Sequence, residues 1–260
     1  MNDHLLAACQ ALSDARRTGV PCEPVHALVE PYGLDGAYAV QRRIESEIVA
    51  SGQRVIGRKI GLTAKAVQQQ FGVDQPDFGF LTADTAFGDG EVIATRLLQP
   101  RIEAEIAFVL DRDLDGEGLT IGNVVRAVAY ALPAIEVVDS RVRDWKISIY
   151  DTVADNASSG AFVLGGEPRK IDSFDLRLCG MSIEQAGEPV SLGCGAASLG
   201  NPLNALLWLA RKMVEVQTPL RAGDTVLSGS LGPIVPVTRG SVYKARISGL
   251  GSVVAHFAAS

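Results

Sequence analysis

The chain has 260 residues, a formal net charge of −6 and a mean hydropathy of +0.17. The acidic balance gives no electrostatic basis for binding nucleic acid, and no apolar run approaches the roughly 18–20 residues of a membrane span. The first residues lack the basic start and apolar stretch of a signal peptide, so we expect a cytoplasmic protein without membrane or nucleic-acid partners.

Cysteine and histidine are too sparse and too scattered to build a metal site. The chain has no CxxC pair, and its three histidines are far apart in the sequence. A disulfide framework, a thiolate zinc site and a multi-histidine site are therefore not expected. If the protein uses a metal, oxygen ligands must hold it. The residues concerned are Cys9, Cys22, Cys179, Cys194, His4, His26 and His256.

The first part of the chain is predicted to be mainly helical. Apolar residues recur there at helical spacing, and glycine or proline follows each run. The predicted elements, in chain order, are a helix over 4–18, a helix from Leu34 or Asp35 to Ala50, a strand over Val55–Gly61 and a brief helix capped by Thr63 that ends at Gly72.

The rest of the chain is predicted to be rich in strands, which favours an α+β fold over alternating βαβ units. We expect a helical N-terminal portion, residues 1–78, packed on a β-rich core, residues 79–260, as one continuous unit. The predicted elements are a strand over Ile102–Leu110, an apolar segment Val124–Asp139 broken by Pro133, a hairpin over Met181–Ser191, a helix over Pro202–Gln217 and strands at Thr225–Leu227, Val242–Ile247 and Val253–Phe257.

Two carboxylates share one face of the strand predicted over Ile102–Leu110. Because side chains alternate along a strand, Glu103 and Glu105 lie on the same face, roughly 7 Å apart along the strand. A solvated acidic face would explain them, but Ala107 and Val109 continue the same face and make it apolar. At their spacing of roughly 7 Å, the two carboxylates are close enough to share a cation.

A third carboxylate, Glu136, sits inside an aliphatic stretch that belongs in a core. An ionised carboxylate is costly there unless it is paired or binds a metal. Arg141 or Lys146 could pair with it in a structural salt bridge. Alternatively, if the segments meet, three carboxylates can fill one triangular face of the octahedron that Mg²⁺ or Mn²⁺ prefers.

Three further stretches contain residues suited to chemistry, although each alone is a weak signal. Lys59 lies in a short strand between glycines, which allow close backbone approach. Asp77 lies in a turn-forming stretch, where an aspartate is more often a turn residue than a base. A loop of small polar residues, 155–160, precedes an apolar strand.

Taken together, these segments resemble the 2-keto-4-pentenoate hydratase family of the fumarylacetoacetate hydrolase superfamily. The resemblance runs from about Asp35 to Phe257. Its most specific stretches are GRKIGLTAKAVQQQFGVDQPDFG (57–79), PRIEAEIAFVL (100–110), PAIEVVDSR (133–141), DTVADNASSG (151–160) and ISGLGSV (247–253). It implies a mixed β roll or barrel with flanking helices, assembled as a pentamer or decamer.

The resemblance also implies roles for individual residues. It assigns Mg²⁺ or Mn²⁺ to Glu103, Glu105 and Glu136, and it places other residues in the substrate pocket. The superfamily's hydrolases carry a lysine where this chain has Asn156, so the cationic role is expected to fall to Lys59, and C–C bond hydrolysis is disfavoured. The pocket residues are Lys59 and Asp77 as catalytic groups and Ser158 and Ser159 as substrate-binding groups.

The implied reaction is the addition of water to 2-hydroxypenta-2,4-dienoate in aromatic-compound meta-cleavage catabolism, giving 4-hydroxy-2-oxopentanoate. The metal is expected to stabilise the enolate, Asp77 to orient or deprotonate water, and Lys59 to stabilise the enolate or deliver a proton from a lowered pKa.

Alternative functions remain open at this point. The alternatives are 4-oxalocrotonate decarboxylase, which needs an extra pocket for a second carboxylate, a hydratase of the dicarboxylate 2-oxohept-4-ene-1,7-dioate, and a non-catalytic carboxylate-binding protein that kept the fold. Association with 4-oxalocrotonate decarboxylase is a further expectation.

Overall fold

A computed structural model describes residues 1–259 of the chain. The helices are α1 (Asp3–Thr18), α2 (His26–Val29), α3 (Gly33–Ala50), α4 (Lys65–Phe71), α5 (Ile121–Ala127), α6 (Ile149–Ala154) and α7 (Pro202–Glu215). The strands are β1 (Val55–Gly61), β2 (Asp77–Thr82), β3 (Ala86–Gly88), β4 (Val92–Ile93), β5 (Pro100–Leu110), β6 (Val128–Asp139), β7 (Ser159–Leu164), β8 (Gly180–Gln185), β9 (Glu188–Cys194), β10 (Thr225–Leu227), β11 (Val235–Pro236), β12 (Val242–Ile247) and β13 (Gly251–Phe257).

Two mixed sheets form the core of the molecule. The larger has the order β2-β1-β10-β5-β6-β7-β3, with β11 also paired to β5, and the smaller has the order β4-β13-β12-β8-β9. The long central strands β5 and β6 are antiparallel, with Glu103 directly opposite Glu136. The predicted α+β class is confirmed, and the register of two strands brings two of the expected ligands together.

The two faces of β5 have different environments, as the alternation predicts. Ile102 and Ile106 are fully buried in the main apolar cluster, which also contains residues of the smaller sheet and α7. On the opposite face, Ala107 belongs to a small apolar cluster with Leu227 and Phe162. The acidic pair on β5 is therefore closed off by apolar packing on one side.

A helical layer from the N-terminal region covers one end of the larger sheet. Apolar residues of α1 and α3, such as Leu12 and Val40, pack with Phe80 of β2 and Val153 of α6. The sequence boundary between residues 78 and 79 falls within β2, and β1 is also a strand of the larger sheet.

Two local predictions were wrong. Helix α4 begins at Lys65 with Ala64 as its N-cap, because the Thr63 side chain is buried against Gly229 and does not cap the helix. Pro133 does not break its segment but lies within β6. Its carbonyl accepts a hydrogen bond from the N–H of Gly165, which lies just beyond the end of β7. The side of Pro133 that lacks an N–H therefore faces the end of β7, where no further hydrogen bond between strands is needed.

The remaining predicted elements are confirmed to within a few residues. The hairpin of β8 and β9 turns at Ala186 and Gly187, which have φ values of 52° and 87°, as a two-residue turn of primed type requires. None of the helices in residues 1–259 combines the length and apolar character needed to traverse a bilayer.

Candidate active site

The three glutamates singled out in the sequence meet at one point. One carboxylate oxygen of each of Glu103, Glu105 and Glu136 lies within 4.8 Å of the others. Strand β5 supplies the first two from one face, and β6 supplies the third from the register position opposite Glu103. Glu105 and Glu136 are fully buried, so a solvated acidic face does not describe this cluster.

Several oxygens of this cluster lack hydrogen-bond partners. Glu105 Oε2 accepts from the backbone N–H of Gly229 at 2.7 Å, whereas within residues 1–259 neither Glu105 Oε1 nor either oxygen of Glu136 accepts a hydrogen bond. Burial, followed by repulsion from Glu136, raises the pKa of Glu103 to about 7 and that of Glu105 well above its ordinary value. Buried carboxylates with free lone pairs fit the oxygen donor set of a hard divalent cation such as Mg²⁺ or Mn²⁺.

The partner of Glu136 is Lys59, not Arg141 or Lys146. The Nζ atom of Lys59 lies 3.1 Å from Glu136 Oε1, at angles that give an ion pair but no hydrogen bond. Arg141 instead forms a buried ion pair with Asp155, and Lys146 lies 3.4 Å from the exposed Asp144. The structural salt bridges considered from sequence therefore do not form.

Lys59 is buried and remains cationic. Burial on its own lowers the pKa of Lys59, but the carboxylates of Glu136 and Asp77 outweigh it and the net shift is upward. The expected lowered pKa is therefore not found in this cluster, because the carboxylates around the ammonium are too close. The same Nζ donates to the carbonyl of Ala157 at 3.0 Å.

Asp77 faces the same space from β2. It is paired in register with Gly61 on β1, and a Cβ at Gly61 would lie 2.2 Å from Asp77 Oδ1, so only glycine allows this approach. Asp77 Oδ1 is buried and accepts no hydrogen bond within residues 1–259. Burial raises the pKa of Asp77 to about 6, against the opposing effect of Lys59.

The loop 156–158 holds a strained conformation beside Lys59. Asn156, Ala157 and Ser158 have φ values of 57°, 48° and 55°, and each non-glycine residue in the left-handed region costs roughly 1–2 kcal/mol. The Asn156 side chain compensates by bonding the backbone N–H and C=O of Phe80 at 2.8 and 2.9 Å. Asn156 thus ties the loop to β2 and aims the Ala157 carbonyl at Lys59.

The structure separates the two serines of this loop. Ser158 lines the cavity, with its Oγ 3.2 Å from Oγ1 of Thr152. Ser159 begins β7 and is not among the lining residues, and its carbonyl accepts from Arg141. Of the two serine side chains, that of Ser158 lines the cavity, and the contact of either with substrate stays a prediction.

A cavity of about 710 Å³ joins these groups. Lys59, Asp77 and Glu103 line it, and α4 contributes part of its wall. Arg101 and Trp145 also line it, and neither was predicted as a site residue. Arg101 could have been found from strand alternation, since it shares a face with Glu103, whereas nothing in the sequence marked Trp145.

The chain belongs to the fumarylacetoacetate hydrolase family: residues 52–258 match the family model described as fumarylacetoacetate (FAA) hydrolase C-terminal. Within the family, the chain is similar to hydratases. It is 56% identical over 252 residues to the "TodF product hydratase" of Pseudomonas putida strain F1, covering 96% of this chain and 94% of that protein.

Two further relatives cover nearly the whole chain. The "2-keto-4-pentenoate hydratase" of Burkholderia vietnamiensis is 52% identical, with 98% of each chain covered. Among solved structures, 4-oxalocrotonate decarboxylase from Pseudomonas putida G7, complexed with magnesium and adipate, superposes with a TM-score of 0.94 at 36% identity, covering 99% of this chain and 98% of that one.

Proposed function

We propose that this protein is a divalent-metal-dependent hydratase that converts 2-hydroxypenta-2,4-dienoate into 4-hydroxy-2-oxopentanoate in the meta-cleavage catabolism of aromatic compounds. The observation that carries the proposal is the cluster of three glutamates, two of them fully buried, at the wall of a cavity that Glu103, Lys59 and Asp77 line. Relatives that are 52–56% identical over most of the chain and named as hydratases support the same reaction.

Glu103, Glu105 and Glu136 are the residues that would hold Mg²⁺ or Mn²⁺. The bound cation supplies a Lewis acid that stabilises negative charge developing on an oxygen of a 2-oxo acid. Lys59 adds a second positive charge to the same space, since its ammonium is retained at neutral pH. Together they favour an anionic, enolate-forming substrate.

Asp77 is the proton-transfer group of the proposed reaction. With a pKa of about 6, its carboxylate is ionised at neutral pH and is basic enough to take a proton from water. Overall, C5 and C3 gain protons, C4 gains hydroxide from water, and the C2 hydroxyl loses its proton as the ketone forms. Ser158, which lines the cavity, would donate a hydrogen bond from its hydroxyl to the substrate carboxylate.

The closest alternative is 4-oxalocrotonate decarboxylation, and hydration of the seven-carbon diacid is another. Higher identity to the hydratases, 52–56% against 36% for the decarboxylase, favours hydration. In either alternative the metal cluster would serve the same purpose, and the substrate would carry a second carboxylate.

The assay that tests the function supplies freshly generated 2-hydroxypenta-2,4-dienoate to metal-stripped protein, with and without Mg²⁺ or Mn²⁺. We expect metal-dependent loss of the dienol absorbance and 4-hydroxy-2-oxopentanoate as the product identified by NMR. Turnover of 2-oxohex-3-enedioate with release of CO₂, in place of hydration, would identify a decarboxylase.

Assembly and location are part of the proposal. We propose a homo-oligomer, pentameric or decameric, that acts in the cytoplasm and associates with 4-oxalocrotonate decarboxylase when both are present. Light scattering of the purified protein, alone and mixed with the decarboxylase, measures the size of the oligomer and its association with that enzyme.

A further inference from the structure

Arg101 lines the cavity from the same face of β5 as the glutamate cluster. It lies two residues before Glu103, so strand alternation places both side chains on one face, roughly 7 Å apart along the strand. Strand pairing fixes its backbone, with Val138 of β6 on one side and Pro236 of β11 on the other. The guanidinium therefore belongs to the wall of the cavity and not to a mobile loop.

The Arg101 guanidinium has no anionic partner within the described part of the chain. No carboxylate of residues 1–259 lies within ion-pair distance of it, whereas Lys59, deeper in the same cavity, is paired with Glu136. Its one specific contact is with Trp145, whose ring centroid lies 4.3 Å from the Arg101 Cζ. Stacking on an aromatic ring leaves the in-plane N–H donors of a guanidinium free for a carboxylate.

The indole that supports Arg101 is held by a strained turn. Asp144 and Trp145 both have φ values of 56°, which non-glycine residues rarely adopt. Gln99 holds this turn, because its side-chain oxygen accepts from Asp144 N at 2.7 Å and its carbonyl accepts from Trp145 Nε1 at 3.0 Å. Backbone strain of this kind persists where the surrounding structure fixes a functional geometry.

Apolar side chains line the same cavity as Arg101. Ile147, Pro233 and Ile234 line the same space, so an anion bound there would be partly shielded from water. A charge-assisted, bidentate contact is stronger in such surroundings than at an open surface. The cavity thus has an acidic group on its wall, Glu103, and a separate cationic group, Arg101, without an anionic partner in residues 1–259.

We propose that Arg101, stacked on Trp145, is a specificity-determining residue that binds the far carboxylate of 2-oxo diacids. This inference rests on the proposed function, in which the glutamate cluster and its metal would bind the 2-oxo acid end of the substrate. It gives the cavity a second substrate class, the 2-oxo diacids, besides the five-carbon monoacid. Five bonds separate the two carboxyl carbons of a six-carbon diacid. Two residues of extended chain contain six backbone bonds and span about 7 Å, so the diacid spans roughly 6 Å.

The test compares two ligands that differ only at the far end: 2-oxohexanedioate, with a carboxylate there, and 2-oxohexanoate, with a methyl group. Calorimetric titration of each into the Mg²⁺-loaded protein measures binding without turnover. We expect the diacid to bind about tenfold more tightly than the monoacid, as one charge-assisted contact provides. Arg101→Gln should bring this ratio close to one. Arg101→Lys keeps the positive charge but loses the planar guanidinium that stacks on Trp145, so it should give an intermediate ratio.

Arg112→Gln is the matched control, because it removes the same charge from an exposed position just beyond the other end of β5. It should keep the tenfold preference, which separates a local contact from an effect of net charge. Equal binding of both ligands to the unaltered protein, or a preference that survives in Arg101→Gln, overturns the assignment and leaves the hydratase proposal intact. Failure of both ligands to bind would overturn this inference, whereas the proposed function is tested separately by the turnover assay with 2-hydroxypenta-2,4-dienoate.

Discussion

At the scale of single residues, the glutamate cluster is a destabilising arrangement in the absence of a cation. Three carboxylates lie within 4.8 Å, two of them fully buried, and one lysine neutralises only part of their charge. A fold selected only for stability would replace such a group with apolar residues. The arrangement is therefore that expected of a cation-binding site, in which a bound cation offsets the repulsion and desolvation of the three carboxylates.

The first prediction concerns Glu103, the one ligand candidate that is not fully buried. Glu103→Gln keeps the shape of the side chain and removes one negative charge, so Mg²⁺ binding should weaken by at least about tenfold and metal-dependent turnover should be lost. Calorimetry with Mg²⁺ measures the affinity, and circular dichroism checks the fold. Glu117→Gln, at an exposed position, should bind Mg²⁺ normally, and normal binding by Glu103→Gln would contradict the site.

The second prediction concerns the protonation of Asp77. Burial raises its pKa to about 6, and the proposed base must be deprotonated, so activity should rise with pH through that value. Below pH 6, kcat/KM should fall about tenfold for each pH unit. Asp77→Asn should lower kcat strongly and abolish this limb of the pH profile. An unchanged limb in the Asn variant would show that another group is responsible.

At the scale of secondary-structure elements, glycines of β1 and β2 let the strands and the loop 156–158 approach closely. A Cβ at Gly61 would collide with Asp77, and a Cβ at Gly79 would lie 2.6 Å from the carbonyl oxygen of Asn156. Neither glycine has a positive φ, so close approach and not backbone conformation requires it. Asp77 can therefore occupy its position because Gly61, on the neighbouring strand β1, has no Cβ.

The third prediction tests this close packing. Gly61→Ala should push the Asp77 carboxylate away, lower kcat by about tenfold or more, and destabilise the protein by about 1–3 kcal/mol through overpacking. Gly166→Ala is the control, since a Cβ there meets nothing within 4 Å and its φ is not positive. Activity assays of both variants measure the change in kcat, and thermal melts measure the change in stability. Equal activity of the two variants would show that Asp77 does not need this space.

Much of the element pattern could be predicted from sequence because it depends on local periodicity. Alternation along β5 identified the shared face of Glu103 and Glu105, and an aliphatic context identified Glu136 as an anomaly. Long-range features could not be read in the same way: the pairing of Lys59 with Glu136, the burial of Thr63 against Gly229 and the stacking of Arg101 on Trp145 join segments distant in sequence.

At the scale of the whole molecule, the N-terminal helical layer supports the site from behind. Gln41 of α3 is 1% exposed and donates from Nε2 to the carbonyls of Phe78 and Val153, both at 2.9 Å. Phe78 follows Asp77 directly, and Tyr38 of α3 stacks on it with ring centroids 4.4 Å apart. One buried amide therefore links the helical layer to β2 and to the helix α6 that leads into the loop 156–158.

The last prediction follows from this link. Gln41→Met keeps the length of the side chain but leaves two buried carbonyls unpaired, which costs about 2 kcal/mol and should lower Tm by roughly 4–8 °C for a chain of this size. Because β2 and α6 would lose their common anchor, kcat should fall as well, while Mg²⁺ affinity, which depends on β5 and β6, should be unchanged. Gln10→Met, on the exposed side of α1, controls for the chemical change and should alter none of these. A lower Tm with unchanged kcat would show that the helical layer stabilises the fold without positioning Asp77, and an unchanged Tm would contradict the link itself.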